Sequence, residues 1–288
     1  MRKTLTTLAV LVSISSRANA WGPLGHKVVA LIAQERLSPK ARAAVEDLLG
    51  PGVGLDSIAN CPDSVLYSTR PLSCAGVFSV APDPSKTTQV WHYIDIPSTA
   101  SADAGSLHGY CPSSRDCVSE AVRRFSAALA SSSSAKQDKQ LALMYLVHFV
   151  ADEHMPLHAV GDDRGETRKS VTFMGVKKNL HSLWDDLIMP EDWRAQAKMD
   201  PAPYVKTVEK YIPKDAASLT QGDFIDAAVL ESLAIAKDKI LPRYAKDHGA
   251  GLGEEYQKEM QPIAFKRLAE AGVRLAALLE RDLAPQIP

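Results

Sequence analysis

The chain has little of several things. Only 6% of its 288 residues are aromatic, and its 33 Lys and Arg against 34 Asp and Glu leave a formal net charge of −1. A near-neutral balance excludes a protein that grips nucleic acid by surface charge alone, because phosphate-driven affinity scales with the number of cations presented. Strictly alternating apolar and polar runs are scarce, which argues against a sheet-based fold. No pair of the four cysteines has C-x-x-C spacing, so a thiolate zinc site or a redox pair is not indicated. No internal repeat divides the chain, and no linker splits it. The only long apolar stretch, Leu5 to about Ile14, is too short to span a bilayer, which takes about 20 residues.

That stretch follows Arg2 and Lys3 and precedes Ala18-Asn19-Ala20, the small-x-small pattern of a signal-peptidase site. Residues 1–20 are therefore predicted to be a cleaved export signal, with residues 21–288 as one domain beginning at Trp21. Cleavage removes Arg2, Lys3 and Arg17 and leaves 30 basic against 34 acidic residues. In an exported chain an even cysteine count predicts two disulfides. Three pairings are open to Cys61, Cys74, Cys111 and Cys117. Proximity favours Cys61 with Cys74 and Cys111 with Cys117. The chain is expected to be a secreted or periplasmic monomer without a membrane anchor.

What is abundant is helical periodicity. Apolar residues recur at three and four over 26–37, 40–49, 116–131, 138–153, 180–189, 203–210, 224–246 and 255–283. Ser38-Pro39 and Asp223 are helix starts. Val171-Thr172-Phe173 before Met174-Gly175 reads as one arm of a small hairpin. Residues 50–115, rich in Pro, Ser, Gly and Cys, read as a long irregular region, Ser131 to Ser134 as an interhelical loop, and Gly249 to Gly253 as a break before the last helix. The fold class is all-α, a mainly helical domain with a small hairpin and long loops.

Within this frame His148 and Asp152 lie one helical turn apart and project from the same face. Pro156 turns the chain after them and can return His158 to the same place. His181 and Asp185 repeat the four-residue spacing. His92 sits in an apolar context where a polar ring needs a partner. His26 lies five residues after the predicted new N-terminus. One such pair forms by chance; two, with a histidine between, point to a metal site. Imidazole and carboxylate without thiolate suit catalytic zinc, with iron and manganese as the alternatives. The amine of Trp21, freed by cleavage, can chelate a metal together with its own carbonyl oxygen.

These residues resemble those of a known family. Trp-Gly-x-x-Gly-His at 21–26, Trp-His-Tyr-Ile-Asp at 91–95, His-Phe-Val-x-Asp-x-His-x-Pro-Leu-His at 148–158 and Asn-Leu-His-x-x-Trp-Asp at 179–185 are similar to the ordered motifs of the zinc-dependent, single-strand-specific S-one/P-one nucleases. The resemblance implies a helical fold of the zinc phospholipase C type and three zinc ions in a cleft. Asp63, His92, His148 and Asp152 would hold one. The Trp21 amine and carbonyl, His26 and a bridging Asp152 would hold the second. His158, His181 and Asp185 would hold the third, with His154 behind the ligands. It further implies metal-assisted hydrolysis of single-stranded DNA and RNA, and of 3′-nucleotides, to 5′-phosphorylated products, with Asp63 and Asp152 at the reacting centre. Tyr93 and Asp95 would receive the base on the 5′ side of the cut.

The sequence departs from the family at three places. Cys61-Pro62-Asp63 stands for Trp-Ala-Asp, which leaves Asp56 as a rival to Asp63. Leu66 stands where a basic residue is common, with Arg70 as a possible substitute. Gly165-Glu166-Thr167 stands for Gly-Gly-Asn, so the choice among DNA, RNA and 3′-nucleotides is open. Two other readings compete: a zinc-dependent phospholipase C, and an exported protein whose metals are structural.

Overall fold

The computed structural model describes residues 21–83, 85–111, 116–187, 200–247 and 251–284. The predicted signal segment, residues 188 and 189 of one expected helix, and Gly249 lie outside them. The helices are α1 (Pro23–Arg36), α2 (Pro39–Leu49), α3 (Cys61–Leu66), α4 (Val118–Ala130), α5 (Lys136–Glu153), α6 (Asp163–Glu166), α7 (Leu180–Ser182), α8 (Ala202–Glu209), α9 (Phe224–Ile235), α10 (Leu241–Asp247) and α11 (Glu254–Leu283). Beside short 3-10 turns, among them Thr87–His92 and Pro156–His158, the described residues form two antiparallel hairpins, β1 (Leu72–Cys74) with β2 (Phe78–Val80), and β3 (Ser170–Phe173) with β4 (Val176–Asn179). The fold is all-α.

Local chemistry accounts for many of the boundaries. Pro23 occupies the first turn of α1, where its missing N–H costs nothing, so the helix begins three residues before the apolar periodicity does. Ser38 caps α2 by accepting from the Ala41 amide at 3.2 Å. Asn179 caps α7 by accepting from the Ser182 amide at 2.7 Å. α7 widens into a π-helical turn at Leu183–Leu187, and a second such turn, Ala236–Ile240, joins α9 to α10. The region read as irregular differs from expectation: 50–115 contains α3 and the first hairpin. A six-residue helix and three-residue strands are too short to show a period. They are joined by the Cys61–Cys74 disulfide, and Cys111–Cys117 closes the second loop.

α5 is the axis of the molecule. It packs on α1, α2, α3, α4, α9 and α11, and Ala142 to Glu153 form an unbroken buried run. A helix buried on all sides is normally apolar all round. α5 carries His148, Asp152 and Glu153 inside instead. Its C-terminal end is gripped from behind. His154 donates through Nδ1 to the Val150 carbonyl at 2.7 Å, which leaves Nε2 to accept from Arg274 at 2.9 Å. Arg274 also makes two 2.7 Å bonds to Glu231 of α9, and Arg267 donates to the His154 carbonyl at 3.2 Å. Burial, then the charges of Arg267 and Arg274, holds the His154 ring well below the usual histidine range, so it is neutral and can accept.

α11 crosses α1 at Gly272, where a Cβ would fall 2.3 Å from Cγ2 and 2.6 Å from Cβ of Ile32. Helix propensity alone favours Gly272→Ala by about 1 kcal/mol. Overpacking opposes it by about 1–3 kcal/mol, and the buried branched side chain has nowhere to go. Gly272→Ala is expected to lower the melting temperature by several degrees in a calorimetric scan, and a raised melting temperature would refute the close crossing.

Candidate metal centre

Two chain segments zip together in front of α5. The Ile94 amide donates to the His158 carbonyl at 2.8 Å, the Gly161 amide donates to Ile96 at 2.9 Å, and Ile96 bridges Val160 in parallel. Gly161 is required there, because a Cβ would lie within 2.9 Å of the Asp95 backbone. Pairing brings His92 and His158 to one wall. Behind His92 stand Trp91, Phe125, Tyr145 and Phe149, with Phe149 edge-on to the His92 ring at 4.9 Å. Trp21 anchors the start of α1 from the other side. Its buried indole donates to the Ala151 carbonyl at 3.0 Å, next to Asp152, and the Gly22 amide donates to the Asp185 carbonyl at 2.8 Å.

Three groups of ligand-type side chains result, each with donor atoms within 4.8 Å of one another: His26, His148 and Asp152; Asp63, His92 and His148; and His158, His181 and Asp185. All are buried. The carboxylate of Asp152 is divided between the first two. Oδ1 lies 3.5 Å from His26 Nε2, while Oδ2 lies 2.8 Å from His92 Nδ1 and 3.4 Å from His148 Nε2. Asp63 Oδ1 is 3.6 Å from His148 Nε2 and 3.7 Å from His92 Nδ1, and His181 Nε2 is 3.7 Å from Asp185 Oδ1. Donors about 2.0–2.2 Å from a tetrahedral ion are about 3.3–3.6 Å apart, so the gaps of 3.4–3.7 Å are close to the size of a zinc coordination sphere, whereas the 2.8 Å His92–Asp152 contact is a direct hydrogen bond.

The donor chemistry also fits a cation. His148, His158 and His181 each donate through Nδ1 to a backbone carbonyl, of Ala59, His92 and Gly165 respectively, at 2.6–2.7 Å. That turns Nε2 of each ring into the cluster, as outer hydrogen bonds do for metal-binding histidines. Both ring nitrogens of His26, Nε2 of His92 and Oδ1 of Asp152 are buried with no hydrogen-bond partner. Orphaned polar atoms at such density are costly unless something binds them.

Electrostatics say the same. Burial pushes His26 and His181 down to about 3, with a neighbouring histidine adding to it. Burial likewise lowers His158. Burial opposes charge on His148 as well, but Asp152 and Asp63 overcome it and lift that ring to about 10. Burial would raise both carboxyls; the histidines outweigh it, and hold Asp63 below and Asp152 well below the ordinary range. Without a cation, a proton on His148 offsets the two carboxylates.

The clusters open on a cleft of about 540 Å³, lined in part by Asp63, Leu66, Tyr67, Gln89, His92, Tyr93, Asp95, His158, Thr167 and His181. Among the described residues no Lys or Arg lines it. Tyr93 and Asp95 face this space, half-buried, and burial raises the Asp95 carboxyl. Asp56 belongs to none of the three groups, and Arg70 is exposed and is not among the residues lining the cleft. Leu66 is on the wall. Glu166, in the departing loop, holds a left-handed backbone with φ 66° and is buried with Lys169 3.1 Å from its carboxylate. Tyr67 and Gln89 were not singled out from sequence; neither sits in a periodic or motif position that would mark it.

The S1/P1 nuclease family profile matches residues 21–284. Similar proteins include Endonuclease 4 of Arabidopsis thaliana, 28% identical over 98% of this chain and 95% of its own. Nuclease S1 of Aspergillus oryzae is 26% identical over 97% and 98%, and Nuclease P1 of Penicillium citrinum 27% identical over 89% and 95%. A match that spans nearly the whole chain, on a helical fold with histidine and aspartate clusters able to hold metal, makes this protein a member of the S1/P1 nuclease family, a hydrolase of phosphodiester bonds.

Proposed function

We propose that the chain is an exported, zinc-dependent endonuclease for single-stranded DNA and RNA and also a 3′-nucleotidase. The observation that carries the reading is the divided Asp152 carboxylate, buried between two histidine sets and beside a third cluster, behind a cleft that no Lys or Arg lines among the described residues. Asp63, His92, His148 and Asp152 would hold one zinc. The Trp21 amine and carbonyl, His26 and Asp152 would hold a second, and His158, His181 and Asp185 a third. Cations there supply the Lewis acidity and positive charge that phosphodiester hydrolysis needs.

The protein's own residues do the rest. Asp152 and Asp63 fix the spacing of the reacting centre. Tyr93 offers a ring on which an unpaired base stacks, worth about 1–3 kcal/mol, and Asp95 accepts from an exocyclic amine when ionised. A paired base cannot present its face, which accounts for a single-strand preference. Leu66, Leu157 and Val160 keep the wall apolar and limit water around the phosphate. Export is supported by two disulfides, which persist in oxidising compartments, secreted or periplasmic. It is also supported by a family match that begins at Trp21. Residues 21–288 would then be the mature domain, a monomer, and no helix of the described residues is long and apolar enough to cross a membrane.

The rival phospholipase C has no use for a base-stacking ring, and Tyr93 with Asp95 on the cleft favours the nuclease. Assay of one preparation on single-stranded DNA, RNA, a 3′-nucleotide and phosphatidylcholine decides the matter. Cleavage of the first three is expected; hydrolysis of the lipid alone would sink the reading. Asp152→Asn should lower kcat more than about a hundredfold, because it weakens two metal sets together. Wild-type kcat in that variant would remove Asp152 from the centre. A chain retaining one residue before Trp21 should lose most activity while melting normally, and full activity would show the amine to be dispensable.

A further inference from the structure

The β3–β4 hairpin rises directly from the cleft. Thr167 and His181, which flank it in sequence, both line the cavity. Residues 167–183 carry Arg168, Lys169, Lys177 and Lys178 and no Asp or Glu, in a chain whose charges otherwise nearly cancel. The register pairs Val171 with Lys178 and Thr172 with Lys177. Val171 and Phe173 turn into the core, so Lys177 stands on the opposite, outer face with Ser170 and Thr172, while Lys178 shares the face of Val171 and stays half-exposed there. Lys169 is engaged, beside Glu166 and over the Tyr244 ring at 5.7 Å. Arg168 and Lys177 are exposed and Lys178 is half-exposed, and none of the three pairs with an acid among the described residues. The hairpin is held firmly, with the Met174 amide donating to Leu252 at 3.0 Å and Phe173 buried. Its tip presents Met174 and Val176, 44% and 45% exposed, the two large exposed hydrophobics of the described residues.

We infer that this hairpin is a docking surface for the phosphates of a single-stranded polynucleotide flanking the bond in the cleft, with Arg168, Lys177 and Lys178 as the contacts. The inference rests on the nuclease reading and deepens it. Three cations without an acidic partner on one hairpin, Arg168 and Lys177 exposed and Lys178 half-exposed on the other face, complement a polyanion beside a cleft that no Lys or Arg lines among the described residues, and Lys178 is three residues from His181, at most about 10 Å of chain even if fully extended. The surface serves long substrates. A 3′-nucleotide has no flanking phosphate and gains nothing from it.

The test compares wild type with Arg168→Ala/Lys177→Ala/Lys178→Ala, and with the single exposed change Lys177→Glu should the triple variant melt early. Cleavage of a single-stranded oligonucleotide of about thirty residues and of a 3′-nucleotide is measured across a salt series. The ratio of the two kcat/KM values should fall about tenfold at low salt. The slope of log kcat/KM for the long strand against log salt should flatten by about 2 in the triple variant, since each single-strand phosphate contact contributes about 0.7. An unchanged ratio together with an unchanged slope overturns the inference. Anisotropy of a phosphorothioate oligothymidylate gives a readout independent of cleavage. Binding that depends on the hairpin in a wild type that cleaves nothing would sink the nuclease reading and leave the surface standing. Cleavage with binding indifferent to the three residues would do the reverse.

Discussion

The structure depends on one buried carboxylate. Asp152 lies fully inside, with one oxygen toward His26 and the other toward His92 and His148. An ion in such a place is tolerated only if opposite charge meets both oxygens. Proximity to three imidazoles supplies part of that, and the orphaned nitrogens of His26 and His92 show that it is incomplete within the protein alone. The packing around Asp152 holds these donors within 4.8 Å of one another in each group.

That support comes from far away in sequence. Arg274, 120 residues beyond His154, clamps its ring to Glu231, while Arg267 holds its carbonyl. Ser232 donates to the Glu153 carbonyl at 2.7 Å. The end of α5 is thus pinned between α9 and α11, and the turn through Pro156 starts from a fixed point. Trp21 reaches Ala151 from the opposite side, so the first described residue and the central helix are registered against each other directly. A candidate ligand set drawn from five chain segments needs such pinning, because shifts of an ångström would open the gaps between its donors.

Much of this was legible. His148 with Asp152, and His181 with Asp185, announced themselves by helical spacing, and Pro156 explained why His158 returns. His26 and His92 were legible mainly through the motifs around them, since a lone histidine carries no spacing of its own. The helical periods gave the large helices to within a few residues, missing only the proline-led first turn of α1. What stayed hidden had physical reasons. α3 and the first hairpin are shorter than any period. Tyr67 and Gln89 reach the cleft by tertiary placement. The Arg274–His154–Glu231 clamp joins residues whose neighbours in sequence give no sign of contact.

A chain of near-neutral charge, with no Lys or Arg on its cleft among the described residues, still has to attract a phosphodiester. In the proposed reading, divalent cations would concentrate positive charge where the surface does not, and the basic hairpin would extend that field outward. The account therefore stands on how many cations the three clusters hold. Elemental analysis of protein beginning at Trp21, purified without chelator and dialysed against metal-free buffer, measures it directly. Three zinc ions per chain are predicted; a stoichiometry of two or fewer in active protein would contradict the account.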